Sequence, residues 1–125
     1  MNGHAISGVI VPLGILSLSG TRAQPAAEYG KVTCHKVSEG VYLFTATSYG
    51  DVGMCGNSIA ILTEEGVLVF DSAALPETAS IILKEIRRLT RNPVRYLINS
   101  HWHWDHWGGN QVFKAAFPDI HAICM

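Results

Sequence analysis

From Lys31 onward, apolar and polar residues alternate with a period of two. Val32–Val37 alternates, Ser38-Glu39-Gly40 interrupts, and Val41–Thr47 resumes, which predicts two antiparallel strands joined by a turn. Residues 48–56 are glycine-rich and without periodicity, so they read as a loop. Asn57–Thr63 and Val67–Asp71 predict two further strands, joined at Glu64-Glu65-Gly66, where the glycine supplies the positive φ of a tight hairpin. The apolar runs of these two strands are nearly continuous, which predicts burial on both faces.

The period then lengthens. Ala79, Ile82, Leu83, Ile86 and Leu89 recur at steps of three and four, so Pro76–Arg91 predicts an amphipathic helix. Pro76 suits its first turn, where a missing N–H costs nothing. Glu77 stands at the positive end of the helix dipole, and Arg87, Arg88 and Arg91 at the negative end. Asn92-Pro93 stops the helix, and Val94–Asn99 returns to strand. Strand, helix and strand make a βαβ unit whose two strands run parallel in one sheet. A short helix over Gly108–Phe117, stopped by Pro118, and a strand from Ile120 to Cys124 complete the pattern.

Ahead of Lys31 the chain changes character. Gly8–Leu18 is an apolar run, shorter than the roughly 20 residues of a bilayer-spanning helix, so no stable membrane span is expected. Small residues follow it up to Ala23. That order predicts a secretory leader over residues 1–23, hence a periplasmic or secreted protein, and leaves 24–125 as one domain. A net charge of −1, with no cluster of Lys and Arg, gives no electrostatic footprint for nucleic acid. Cys34, Cys55 and Cys124 lack metal-ribbon spacing, and the sequence does not say which pair, if any, is joined.

The chemistry concentrates after the last parallel strand, in Asn99-Ser-His-Trp-His-Trp-Asp-His-Trp-Gly-Gly-Asn110. Three of the six histidines fall within six residues, with an aspartate among them. In an extended stretch His101 and His103 share one face. As the chain turns, Asp105 and His106 reach a second position nearby. Two imidazoles for one ion, and a carboxylate with an imidazole for another, make an open zinc site of catalytic type; one short loop can hardly wrap a single ion as a closed structural site does. Trp102, Trp104 and Trp107 interleave with these residues and are expected to face away from them and pack as an apolar collar that fixes the loop. Gly108-Gly109 is expected to permit a tight turn. His4, His35 and His121 read as ordinary surface or core histidines.

The motif His101-Trp-His103-Trp-Asp105-His106, an H-x-H-x-D-H pattern, resembles the metallo-β-lactamase-fold superfamily of metallohydrolases. The resemblance runs from about Val37 to Cys124. It includes the paired strands of Asn57–Asp71, which close on an aspartate, and the order strand pair, helix, strand, motif, helix. It implies an α/β chain forming the amino-terminal half of an αββα sandwich, with one or two zinc ions or another divalent metal. By this resemblance His101 and His103 bind the first metal, and Asp105 and His106 the second. Asp105 also acts catalytically, orienting the water or taking its proton. Asp71 sits beside the metal loop, either supporting a ligand or merely bonding backbone amides at a strand end.

Further ligands of the family come from its second half. Only nineteen residues follow His106, and His121 among them comes too early for the next ligand. The chain is therefore expected to be an amino-terminal piece of such a domain, with an exposed sheet face able to drive self-association. The function implied is a zinc-dependent hydrolase of a small molecule, cleaving an ester, lactone or amide bond, with a β-lactam among the candidates. The alternative is a non-catalytic fragment, or a metal-binding half-domain that needs a partner chain.

Overall fold

The computed structural model describes residues 31–48 and 54–124. The leader expected over residues 1–23, and His4, lie outside the described residues. Strands β1 (Val32–Ser38), β2 (Val41–Ala46), β3 (Ser58–Leu62) and β4 (Val67–Phe70) precede helix α1 (Pro76–Leu89). Strand β5 (Val94–Asn99), the single turn α2 (Trp104–Trp107), helix α3 (Asn110–Ala116) and strand β6 (His121–Cys124) follow. The six strands form one sheet in sequence order. The first three pairings are antiparallel and the last two parallel, as the βαβ pattern requires.

Local chemistry accounts for the boundaries. Gly40 (φ +72°) and Gly66 (φ +154°) carry the positive φ of the two turns. Helix α1 opens on Pro76 with Glu77 in its first turn and Arg87 and Arg88 in its last. It ends at Leu89, so Arg91 lies beyond the helix. Thr90 is already extended, and its N–H still reaches the Ile86 carbonyl. Pro93 disfavours helical backbone at Asn92, whose side-chain amide donates to the Thr63 carbonyl at 2.8 Å and ties the helix exit to the β3–β4 turn.

Helices α1 and α3 cover only one face of the sheet. Ala79, Ile82, Leu83 and Ile86 of α1 and Phe113 of α3 bury against Phe44, Ala60, Val69 and Leu97. Each of the buried Ile, Leu, Val and Phe side chains among them contributes roughly 1.5–3 kcal/mol relative to exposure. Leu89, at the end of the helix stripe, stays partly exposed. The burial expected on both faces of β3 is not observed: Ser58 and Ala60 are buried, while Ile59 and Ile61 are each 37% exposed. The physical reason is that successive strand residues point to opposite faces, and no helix among the described residues covers the second.

That open face is apolar. Cross-strand register aligns Leu43, Ile59, Phe70, Ile98 and Ile123 in one row. Val41, Ile61, Leu68 and Tyr96 align in a second, ending on His121, whose ring stacks on Tyr96 at 5.5 Å. Among the described residues, no helix is long and apolar enough to cross a membrane.

Candidate functional site

Strands β4 and β5 run parallel, so their carboxyl ends lie side by side, and Asp71 and Ser100 are the first residues past them. In α/β sheets this edge is where sites form. Asp71 stays tied to the ladder through its N–H, which donates to the Ile98 carbonyl at 2.8 Å. Its backbone then enters the left-handed region (φ +58°), followed by Ala73 (φ +65°). Asp tolerates that conformation better than most residues. The reversal leaves the Asp71 carboxylate buried at the start of the 100–109 loop.

Three donors converge on that carboxylate. Oδ1 accepts the Ser100 backbone N–H at 2.8 Å. Oδ2 accepts the Ser100 hydroxyl at 2.8 Å and His106 Nδ1 at 2.8 Å. The Ser100 hydroxyl hydrogen is thereby spent on Asp71. Its oxygen, 2.9 Å from His101 Nδ1, accepts a hydrogen from that nitrogen. One carboxylate thus fixes two imidazoles, directly at His106 and through Ser100 at His101. In the neutral form of each ring this leaves the hydrogen on Nδ1 and the lone pair on Nε2.

The Nε2 atoms face other polar atoms of the motif. His101 Nε2 lies 2.9 Å from His103 Nδ1, and the two rings meet edge on at 4.6 Å. His106 Nε2 lies 3.4 Å from Asp105 Oδ2, and the His101 and His106 rings are 4.2 Å apart. All four motif residues expected from the sequence therefore stand together, with Asp71 behind them. They meet as two pairs: among the described residues, no group of three or more His, Cys, Asp or Glu side chains is placed to hold one ion.

The tryptophans do not pack as a collar. Trp102 is 78% exposed, and Trp104 and Trp107 are exposed as well. The extended stretch that would have turned them inward gives way at Trp104 to the single turn α2. Trp107 still braces the loop, by donating Nε1–H to the Trp102 carbonyl at 2.8 Å, and the Trp102 ring meets His103 edge on at 4.4 Å.

Gly108 and Gly109 matter for closeness, since both have ordinary helical backbone. A methyl group on Gly108 would run into the Ala74 carbonyl, and one on Gly109 into the Ser72 carbonyl and the Ala79 side chain. Gly56 presses the preceding loop against the Asp105 carbonyl in the same way. Beside it, Cys55 is half-buried; burial pushes its thiol pKa up, and the nearby Asp105 charge adds to the effect. Cys34, Cys55 and Cys124 are all free thiols.

The residues that sequence reasoning missed are Ser100, Ser72, Asn99 and Asn110. They are polar groups without a motif of their own; Asn99, Ser100 and Asn110 are marked only by flanking the histidine cluster, and Ser72 only by following Asp71. A trough of about 750 Å³ lies elsewhere, between Glu64, Arg95, Tyr96 and His121. No motif residue lines it, so its size does not compete with the chemistry at the strand ends.

Comparison with known proteins agrees with this fold. Residues 53–125 match the family model of the metallo-beta-lactamase superfamily, and the chain belongs to that superfamily. Among solved structures, it is similar to the metallo-beta-lactamase FIM-1 from Pseudomonas aeruginosa in its mono-zinc form, with a TM-score of 0.64 and 18% identity over 76% of this chain. It is also similar to metallo-beta-lactamases from Erythrobacter litoralis (TM-score 0.61, 24% identity, 75% of this chain) and Hirschia baltica (0.63, 20%, 73%). The match covers 42%, 41% and 42% of those chains respectively, so this chain spans about two fifths of their length.

Proposed function

We propose that the chain carries the first half of the zinc site of a metal-dependent hydrolase acting on a small ester, lactone or amide, β-lactams included. The observation that supports this reading is the pairing of donors at the ends of β4 and β5. Two ligands of one tetrahedral zinc, each at about 2.0–2.1 Å, sit about 3.3 Å apart. The His101 Nε2–His103 Nδ1 and Asp105 Oδ2–His106 Nε2 separations, 2.9 and 3.4 Å, bracket that spacing. The donor chemistry fits as well, since neutral imidazole lone pairs and a carboxylate are what zinc takes. A histidine whose other nitrogen is held by a carboxylate, as His106 is by Asp71, is the common supporting arrangement at such sites.

In this reading His101 and His103 hold one ion, and Asp105 and His106 a second. Zinc supplies Lewis acidity, polarising a carbonyl and bringing the pKa of a coordinated water to about 7. The Asp105 carboxylate would orient the attacking water or take its proton. Asp71 and Ser100 keep the lone pairs of His106 and His101 aimed at the site. Export through a leader over residues 1–23 belongs to the same reading and would bring the site to substrates outside the cytoplasm.

Equilibrium dialysis against zinc, followed by assay on ester, lactone and β-lactam substrates, tests this. One or two retained equivalents, with the one at the His101–His103 position lost in His101→Ala and in His103→Ala, support the reading. No retained metal overturns it. A second reading is supported by the open apolar sheet face: a metal-binding half-domain that hydrolyses nothing until a partner chain covers that face. Metal retention without hydrolysis favours this second reading.

A further inference from the structure

Beneath the motif lies a closed polar network that the proposed function does not use. Asn99 closes β5 and is buried, and Asn110 opens α3. Their side-chain amides pair reciprocally: Asn110 Nδ2 donates to Asn99 Oδ1 at 2.7 Å, and Asn99 Nδ2 donates to Asn110 Oδ1 at 3.2 Å. The buried Ser72 hydroxyl donates to Asn110 Oδ1 at 2.7 Å, and the Cys124 thiol donates to Asn99 Oδ1 at 3.4 Å. The second hydrogen of Asn99 Nδ2 goes to the His106 carbonyl at 3.1 Å, which also accepts the Ser72 backbone N–H at 2.8 Å. Turning the Asn99 amide over would set two acceptors against each other at His106, so the network has one consistent orientation.

The network therefore grips a single point of the metal loop, the main-chain carbonyl of His106. Its donors fill both lone pairs of that oxygen, and among the described residues none of its side chains is hydrogen-bonded to His101 or His103. We infer that Asn99, Asn110 and Ser72 are positioning residues for the Asp105–His106 donor pair, setting the affinity of the second metal position and leaving the His101–His103 position alone. The inference rests on the metal-binding reading above. Its physical basis is that the clamped carbonyl stands on the His106 α-carbon, one peptide unit from that of Asp105, and is held directly from β5 by Asn99 and from the segment after β4 by Ser72, and through Asn99 from α3. Groups that support metal ligands change affinity by about 10–100-fold when removed.

Cobalt(II) titration of the whole chain, followed by visible absorption, tests this alongside thermal melting of the metal-free protein. Two backgrounds isolate the positions: His101→Ala leaves the Asp105–His106 pair, and His106→Ala leaves the His101–His103 pair. Asn110→Ala is expected to weaken cobalt about 10–100-fold in the first background and by less than about twofold in the second. Ser72→Ala removes one bond without emptying the network, so it is expected to move affinity the same way by a smaller factor, and it carries the test if Asn110→Ala does not melt cooperatively. A lower melting temperature with unchanged affinities would make the network merely structural and overturn the inference. Equal weakening in both backgrounds would overturn it too. Absence of cobalt binding by the parent chain is a different result, because it removes the metal-binding reading itself.

Discussion

Asp71 Oδ2 lies 2.8 Å from His106 Nδ1, although 35 positions separate the two residues in the chain. The parallel pairing of β4 with β5 creates that contact by bringing the ends of two distant segments together. Replacing Asp71 by Asn keeps a side chain that tolerates the left-handed backbone but removes the charge and one acceptor. Zinc affinity is expected to fall about 10–100-fold, as for other carboxylates that support a metal-bound histidine. Competition with a chelator of known affinity measures it; an unchanged affinity would reduce Asp71 to a strand-end cap.

What the sequence revealed about this region divides along physical lines. The succession of strands and helices and the α1 stripe depend on short-range periodicity, and they were legible, as was the nearness of His101 to His103 and of Asp105 to His106. The link from Asp71 to His101 through Ser100 was not, because a serine advertises no chemistry until the fold supplies its neighbours. The exposure of Trp102 was misjudged because the extended pattern ends one residue after His103. Gly108 and Gly109 were noticed for the wrong property: their φ is ordinary, and the space that a Cβ would need is taken by Ala74 and Ser72.

That last point makes Gly108→Ala informative. The added methyl meets a backbone carbonyl, which cannot rotate away as a side chain can. Overpacking costs about 1–3 kcal/mol where neighbours yield, and a rigid backbone neighbour places this substitution at the upper end. Urea unfolding followed by circular dichroism is expected to show a lower midpoint. An unchanged midpoint would mean that the loop slides freely over Ala74.

Ser58 offers the opposite sign. Its side chain is fully buried at the start of β3, and its hydroxyl has no partner among the described residues. An unsatisfied buried hydroxyl costs about 1–3 kcal/mol. Ser58→Ala removes the oxygen and keeps the fit, so the thermal midpoint is expected to rise. A fall would reveal a hydrogen bond to Ser58 that the described residues do not include.

The thiols give a pH signature. Burial raises the pKa of Cys55 and of Cys34, and the charges of Asp105 and Glu85 respectively add to it. Both thiols then remain protonated to higher pH in the folded chain than in the unfolded one. Their contribution to stability is full below the unfolded thiol pKa and declines as pH rises through it. Iodoacetamide at neutral pH is expected to label exposed Cys124 first, with Cys55 and Cys34 following as the pH is raised; peptide mass mapping reads the order. Early labelling of Cys55 would show that its loop opens readily.

The open sheet face supplies the last test. Ile59 and Ile61 lie in two aligned apolar rows that no element among the described residues covers. Contiguous apolar surface of this kind drives association. The chain is therefore expected to associate as its concentration rises, with the weight-average mass climbing in sedimentation velocity. Ile59→Lys and Ile61→Lys place charges in the middle of both rows at partly exposed positions, where the fold itself loses little. Each is expected to lower the mass at a given concentration while leaving zinc uptake at the strand ends intact, because the motif lies past the carboxyl ends of β4 and β5. A parent chain that stays monomeric at every concentration, or lysine variants that associate as strongly as it does, would show that this face is not the contact.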